Sequence, residues 1–269
     1  MKFFDSHAHL DDERFSEDRD IIIEKIKKEG MQGVISAGYS LEGTKKAIEL
    51  ANKYEFIYAT AGISPNDIPQ TEEELWKDIE KLETIIVKEV KKGEKKSKLV
   101  AIGEIGLDYY WEKEQEMRKL QQKALKKQIE LANKFDLPIV IHVRDAIMDI
   151  LEILKNNPVK RKGVFHCCPQ NRELIKEAIK LGFYISFAGP ITFKNSKNAD
   201  EMINLIPNDR LLIETDSPYL SPEPFRGTRN TPINVKYVAQ KIAEAKQISI
   251  DEVVEFTNKN ISDLFGICH

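Results

Sequence analysis

Short apolar runs recur along the chain, and each is followed by a longer segment with the spacing of an amphipathic helix. Eight such runs occur, which predicts eight strands that alternate with helices. The helical spacing is clearest over Glu112–Phe135. The runs are Phe3-Phe4, Gly33–Ser36, Ile57–Ala59, Leu99–Ile102, Pro138–Ile141, Gly163–Phe165, Phe183–Ser186 and Arg210–Ile213.

Eight strand–helix units with no Pro/Gly-rich linker between them predict a (β/α)8 TIM barrel of the α/β class. A single domain over residues 1–269 is expected, because this length suits one barrel. A doubly wound open sheet is the alternative, since both folds alternate strands and helices. Two more helices are expected after the last strand, over Asn230–Ala245 and over Ser249–Leu264, the second with Ser249 as its N-cap.

The charge balance excludes a broadly basic protein. The chain has 41 Lys and Arg against 44 Asp and Glu, a formal net charge of −3, so any anion-binding surface must be local. The Lys- and Glu-rich segment Lys88–Lys98 is expected to be a solvated helix end and loop, with a nucleic-acid-binding patch as the alternative. No signal-peptide pattern, membrane-span-length apolar run or disulfide framework is present. We therefore expect a cytoplasmic protein with reduced thiols, no membrane association and no obligate protein partner.

Four histidines lie at the carboxyl ends of predicted strands, and these ends share one face in a parallel barrel, where active sites of this architecture lie. The first two are separated by one residue, so their side chains project to the same side of the strand. Asp5 shares their parity and could anchor the pair from below. The four histidines are His7, His9, His142 and His166.

Two carboxylates, Glu104 and Asp216, also end predicted strands. A mixed set of imidazoles and carboxylates suits divalent cations such as Zn, Mn, Co or Ni. The six residues together therefore predict a metal centre.

Basic and aromatic residues follow the same strand ends. The segment Tyr109–Trp111 could stack on nucleobases or pack into the protein. Basic side chains on this face could contact substrate phosphates, because arginine binds them through paired hydrogen bonds and lysine as a point charge. The basic residues are Arg144, Lys194, Arg226 and Arg229.

In this order along nearly the whole chain, six motifs resemble the TatD family of metal-dependent deoxyribonucleases, within the wider amidohydrolase-like barrel superfamily. The motifs are Asp5–Leu10, Gly103–Tyr109, Pro138–Ala146, Phe165–Cys167, Thr192–Asn195 and Glu214–Leu220 with the following Pro224–Gly227.

The resemblance implies two divalent metal ions per chain, which the sequence leaves open among Zn, Mn, Mg, Co and Ni. It places His7, His9 and Asp216 on one ion and His142 and His166 on the other. Glu104 would bridge the two ions, and both Glu104 and Asp216 would be catalytic, Asp216 as general base. The implied activity is 3′–5′ deoxyribonuclease on single-stranded DNA or 3′ ends, with a metal-activated water.

The chain departs from the family pattern in two places. The common Gly-x-His-Pro-His motif reads Gly62-Ile63-Ser64-Pro65-Asn66, so Ser64 and Asn66 replace two histidines. The usual Phe-Ser-Gly after His166-Cys167 is also absent. These changes leave the six candidate metal ligands intact and affect the expected pocket wall.

Two other functions fit the same residues. The metal centre could attack a carbonyl, as in a D-aminoacyl-tRNA deacylase or a small-molecule amidohydrolase. Alternatively, a barrel with structural metals could bind nucleic acid without cutting it. The complete ligand set argues against that non-enzymatic function.

Overall fold

The computed structural model describes residues 2–93 and 97–267, and its eight strands follow one another in chain order in one sheet. Helices separate successive strands, and strand pairs are parallel. The prediction of a (β/α)8 barrel is confirmed. The strands are β1 (Phe4–Ala8), β2 (Gly33–Ser36), β3 (Ile57–Ala61), β4 (Leu99–Asp108), β5 (Ile139–Arg144), β6 (Gly163–Phe165), β7 (Tyr184–Phe187) and β8 (Leu211–Ile213).

The helices each bury one face, as their amphipathic spacing predicts. The predicted helix over Glu112–Phe135 is α4, and the two predicted C-terminal helices are α8 and α9. Ser249 caps α9 and forms a capping box with Glu252. In the described residues the helices are α1 (Arg19–Lys28), α2 (Leu41–Lys53), α3 (Glu72–Val90), α4 (Gln115–Phe135), α5 (Ile147–Asn156), α6 (Arg172–Lys180), α7 (Ala199–Leu205), α8 (Val235–Lys246) and α9 (Ile250–Phe265).

The chain divides into two compact units, and the prediction of a single domain stays a prediction. The first, here called the terminal unit, comprises residues 2–36 and 166–267 of the described chain. In it β7 pairs with β8 and β1 pairs with β2. The end of β1 meets the chain after β8 through a parallel bridge between Ala8 and Ser217. Strands from both ends of the sequence are therefore neighbours in this unit.

The second unit, here called the central unit, is Ala37–Phe165, in which β3, β4, β5 and β6 pair in that order. Gly106 pairs with His142 across β4 and β5. Its φ is +154°, and a Cβ atom at this position would lie 1.8 Å from the carbonyl oxygen of His142. Only glycine fits here, because any side chain would separate the two strands.

The remaining sequence predictions concern the Lys- and Glu-rich segment, the cysteines and membrane-spanning segments. The helix α3 ends at Val90, and residues 94–96 of the Lys- and Glu-rich segment lie outside the described residues. Cys167 and Cys168 form no disulfide within the described chain, while Cys268 lies outside it. None of the described helices has the length and apolar character that a membrane crossing requires.

Candidate metal centre

The side chains of His7 and His9 meet at the end of β1 in the terminal unit. Their Nε2 atoms are 3.3 Å apart, as expected from residues of the same parity on a strand. Asp216, after β8, places Oδ1 at 3.3 Å from Nε2 of His9 and 3.7 Å from Nε2 of His7. Two nitrogens bound to one tetrahedral zinc-type ion lie about 3.3 Å apart, since each bond is about 2.0–2.1 Å long. The spacing of these donor atoms therefore fits one cation.

His166 adds a fourth donor to the same group. Its ring stacks on that of His7, with centroids 4.0 Å apart. Ligand atoms of His7, His166 and Asp216 all lie within 4.8 Å of one another. Both histidines are buried, so these donors are held in place by packing. The terminal unit thus brings together four of the six predicted ligands.

The main chain fixes the position of Asp216. Its φ is +56°, and its N–H donates to the carbonyl oxygen of His7 at 2.9 Å. Burial raises the pKa of Asp216, but the hydrogen bond from His9 and the charges of His9, His166 and His7 outweigh burial and lower the pKa overall. The carboxylate is therefore ionised at neutral pH, as a metal ligand must be.

Asp5 acts on the histidine pair through the main chain. Its Oδ1 accepts from the N–H of His7 at 3.2 Å and of Thr215 at 2.9 Å, and its Oδ2 accepts from the Thr215 hydroxyl at 2.5 Å. Complete burial raises the pKa of Asp5 well above its usual value, although the Thr215 hydrogen bonds oppose this. The predicted anchor is therefore present, and its hydrogen bonds join β1 to the chain that follows β8.

Glu214 is a buried carboxylate that sequence reasoning missed. Its Oε1 accepts from the N–H of Cys167 at 2.6 Å and lies 3.5 Å from Nδ1 of His166. Its Oε2 is buried and has no hydrogen-bond partner among the described residues. A buried carboxylate oxygen without a donor beside a histidine fits a site that holds cationic charge. A signal for it existed, because Glu214 has the same parity as Asp216.

Glu104 and His142 form the corresponding group in the central unit. Nδ1 of His142 is 3.1 Å from Oε1 of Glu104, and Nε2 of His142 is 3.0 Å from Oδ2 of Asp108. Glu104 is buried within β4, not at its end as predicted, because the strand continues to Asp108. Two donor atoms 3.1 Å apart again have the spacing of ligands to one ion.

Asp108 is a second residue that sequence reasoning missed as part of the site. Its Oδ2 also accepts from the side-chain amide of Asn66 at 3.3 Å. Burial raises the pKa of Asp108, while hydrogen bonds from His142, the Trp111 N–H and Asn66 lower it further than burial raises it. Of the two positions that depart from the family pattern, Asn66 thus reaches the site through Asp108. Ser64 instead donates to Oδ2 of Asp67 at 2.6 Å.

The four predicted phosphate-binding residues differ in their surroundings. Arg229 is paired with both carboxylate oxygens of Asp18 and donates to the carbonyl oxygen of Arg14. Arg226 lies over the Phe193 ring, 4.1 Å from its centroid. Arg144 and Lys194 are exposed and make no ion pair with any residue that the structure describes. Arg144, Lys194 and Arg226 thus have no carboxylate partner among the described residues, whereas Arg229 has one.

Residues 4–266 match a family model described as TatD related DNase. The chain is 43% identical over 267 residues to YabD of Bacillus subtilis, described as an uncharacterized metal-dependent hydrolase, and the match covers 98% of this chain and 99% of that one. MJ1582 of Methanocaldococcus jannaschii, described in the same terms, is 36% identical over 265 residues and is covered to 97%, with 98% of this chain. The similarity thus extends over nearly the whole length of this chain and of both relatives.

Two solved structures of TatD family proteins are similar to this chain over nearly its whole length. A crystal structure of YjjV, a TatD homologue from Escherichia coli, is similar with a TM-score of 0.89 and 27% identity, covering 99% of this chain and 98% of that one. A TatD family hydrolase from Entamoeba histolytica is similar with a TM-score of 0.83 and 25% identity, covering 98% of each chain.

Proposed function

Since the chain belongs to the TatD family of metal-dependent hydrolases, we propose that it cleaves phosphodiester bonds of DNA from a 3′ end. The observation that carries this proposal is the group of donor atoms of His7, His166 and Asp216 within 4.8 Å, beside His9. A buried group of imidazoles and a carboxylate is the donor set of a hydrolytic metal site.

The residues that would hold the metal are the six predicted ligands. By resemblance to the family, His7, His9 and Asp216 would hold one divalent cation, His142 and His166 would hold a second, and Glu104 would contribute to both. Two such cations supply Lewis acidity for a phosphoryl oxygen and lower the pKa of water. The ionised carboxylate that this requires agrees with the lowered pKa of Asp216.

The chain's own residues would orient the substrate and take up its proton. Asp216 is ionised and therefore able to accept a proton from the attacking water. Arg144 and Lys194 would hold phosphate oxygens, because their charged groups are exposed and are not paired with a described carboxylate. Glu214 would keep His166 oriented, since its Oε1 lies 3.5 Å from Nδ1 of His166.

The test is cleavage of end-labelled DNA by protein that has been stripped with a chelator and reloaded with one metal at a time. We expect removal of nucleotides from the 3′ end, about two bound metal ions per chain, and loss of activity on chelation. Asp216→Asn should reduce turnover by about 10²-fold or more. Asp209→Asn is the matched control, because Asp209 precedes β8 and is exposed, whereas Asp216 follows that strand.

Other substrates are tested in the same assay. Hydrolysis of D-aminoacyl-tRNA without cleavage of DNA would replace the proposed activity by ester hydrolysis at the same metal centre. DNA binding without cleavage by any metal-loaded form would indicate a binding protein. Normal DNA cleavage by a folded Asp216→Asn variant would exclude Asp216 as the general base.

A further inference from the structure

Two aromatic side chains and one guanidinium group form an exposed surface in the central unit, after β4 and at the end of β5. The exposed fractions of Tyr110 and Trp111 are 42% and 66%. Their ring centroids are 4.8 Å apart at an interplanar angle of 85°. The Cζ atom of Arg144 lies 3.6 Å from the Tyr110 centroid and 5.5 Å from that of Trp111. We call these three residues the aromatic platform.

The neighbouring tyrosine has a different role. Tyr109 is buried, and its hydroxyl donates to Oδ2 of Asp149 at 2.7 Å and accepts from the amide of Gln122 at 2.8 Å. The adjacent Tyr110 and Trp111 point their rings toward solvent instead. Packing therefore explains the first aromatic of the Tyr-Tyr-Trp segment and leaves the other two without an explanation from the fold.

One carboxylate holds the platform beside a proposed metal ligand. Oδ1 of Asp108 accepts from the N–H groups of Tyr110 at 3.0 Å and Trp111 at 3.1 Å. Oδ2 of the same side chain lies 3.0 Å from Nε2 of His142. A group bound on the platform would therefore lie close to His142, with its position fixed by main-chain hydrogen bonds.

The guanidinium group of Arg144 is available to bind an anion. It makes no hydrogen bond or ion pair with any described residue, in contrast to Arg229. An arginine stacked on a ring keeps its N–H groups in the plane of the guanidinium, where they can bind phosphate oxygens in pairs. Lys113, with Nζ 5.4 Å from the Tyr110 centroid, adds a second positive charge.

We propose that the aromatic platform binds an unpaired nucleobase of single-stranded DNA by stacking, with Arg144 contacting an adjacent phosphate. This rests on the proposed cleavage of DNA and specifies which part of the chain holds the strand. Aromatic side chains stack on every base, so the platform binds without sequence preference. Its combination of an exposed ring with an arginine matches both parts of a nucleotide, the flat base and the charged phosphate.

The experiment measures binding to metal-free protein, so that no cleavage occurs. The probes are a fluorescent six-nucleotide oligothymidylate and an abasic oligomer with the same phosphates. Trp111→Ala should weaken binding of the thymidylate about tenfold, and binding of the abasic oligomer less than about twofold. Trp111→Phe should retain most of the affinity. Arg144→Gln should weaken both probes by similar factors, because it removes a phosphate contact.

A fluorescence measurement separates the two tryptophans. In Trp76→Phe protein, Trp111 is the single tryptophan of the chain, and the thymidylate should quench its emission while the abasic oligomer should not. Trp76, in α3, is the matched control, and its replacement should leave both affinities unchanged. Equal effects of Trp111→Ala on the two probes, or no measurable binding of thymidylate by wild-type protein, would overturn the platform.

The two proposals fail in different ways. Base-dependent binding through Trp111 with no DNA cleavage by any metal-loaded form would support the platform and reject the nuclease. Cleavage of DNA with a KM that Trp111→Ala leaves unchanged would support the nuclease and reject the platform.

Discussion

The side chain of Asp108 on β4 reaches that of His142 on β5, with Oδ2 of the carboxylate 3.0 Å from Nε2 of the imidazole. With a cation held between Nδ1 of His142 and Glu104, the single N–H of the neutral imidazole would lie on Nε2, where the Asp108 carboxylate accepts it. The lone pair is then on Nδ1, which lies 3.1 Å from Oε1 of Glu104. Asp108 thereby selects the tautomer of His142 that can bind a cation on the side of Glu104.

Asp108→Asn should weaken metal binding by about 10- to 100-fold, the usual effect of removing such a partner. The new amide would donate to Nε2 and move the ring proton to Nδ1. Titration of the chelated protein with Co²⁺, followed by its absorption spectrum, measures this without an activity assay. Asp149→Asn is the control, because Asp149 bonds only to Tyr109 and Gln122 among the contacts found in the described chain. Equal metal affinity of both variants would reject the tautomer argument.

Asn66→His should raise the rate of DNA cleavage, by up to about 10²-fold if protonation of the leaving oxygen is limiting. Histidine supplies an acid near neutral pH that asparagine lacks, while its ring can still donate to Asp108. Asn66→Gln keeps the amide and serves as the control in steady-state kinetics. A folded, metal-loaded Asn66→His protein that is no faster than wild type would show that this position does not limit the chemistry.

Ser64→His should destabilise the protein, by about 1–3 kcal/mol, because it enlarges a buried side chain. It also removes the hydrogen bond from Ser64 to Asp67. The double variant with Asn66→His should therefore show the rate of Asn66→His with a lower urea midpoint. Unchanged stability of Ser64→His would mean that the pocket wall accommodates the larger ring.

Arg229→Gln should change the acid stability of the protein more than its KM for DNA. Arg229 lowers the pKa of Asp18 from 3.8 by a hydrogen bond first and by its charge as well. A lowered folded-state pKa stabilises the protein above pH 3.8, and this contribution is lost as the pH falls through the lowered value. In the variant the Asp18 pKa, measured by NMR titration, should rise toward its ordinary value.

Arg226→Gln is the matched change at an arginine with no carboxylate partner among the described residues. It should leave the Asp18 titration unchanged. A large increase in the KM for DNA in Arg229→Gln, with no change in the Asp18 pKa, would indicate that Arg229 binds substrate phosphate.

Asp5→Ala should lower the free energy of unfolding by about 3 kcal/mol or more, because buried donors lose their acceptor at about 1–3 kcal/mol each. The donors are the N–H groups of His7 and Thr215 and the Thr215 hydroxyl. Asp5→Asn retains one acceptor oxygen and should cost less. Urea unfolding of chelated protein is the measurement, since bound metal would add its own stabilisation. Equal stability of both variants would contradict the assigned role.

The sequence predicts the positions of the strands more accurately than it predicts which residues of different strands contact each other. Runs of apolar residues locate β2 and β6 to the residue. For β4 the prediction stopped at Ile102, because Gly103 and Gly106 are typical of loops. Gly106 is instead required inside the strand, where the backbone of His142 approaches. Local patterns thus indicate an element, but a close approach between elements is visible only in the fold.

The same limit explains the residues that sequence reasoning missed. The contacts of Asp108 with His142 and of Glu214 with Cys167 join positions 34 and 47 residues apart. Arg229 pairs with Asp18 across 211 residues. The ligand candidates themselves were accessible, because strand ends and side-chain parity depend on neighbouring residues. Parity also pointed to the supporting carboxylates Asp5 and Glu214, whereas the contact of Asp108 with His142 depends on tertiary packing.

The contact between Asp5 and Thr215 joins residues 210 positions apart. A ribosome that adds about 5–20 residues per second needs about 10–40 s to produce the second partner after the first. During this time the nascent chain carries His7 and His9 without Asp216. Prematurely terminated chains that end before β8 would therefore lack both the carboxylate ligand and the strand that positions it. Only chains that are translated beyond Asp216 would therefore have the full set of metal ligands in the terminal unit.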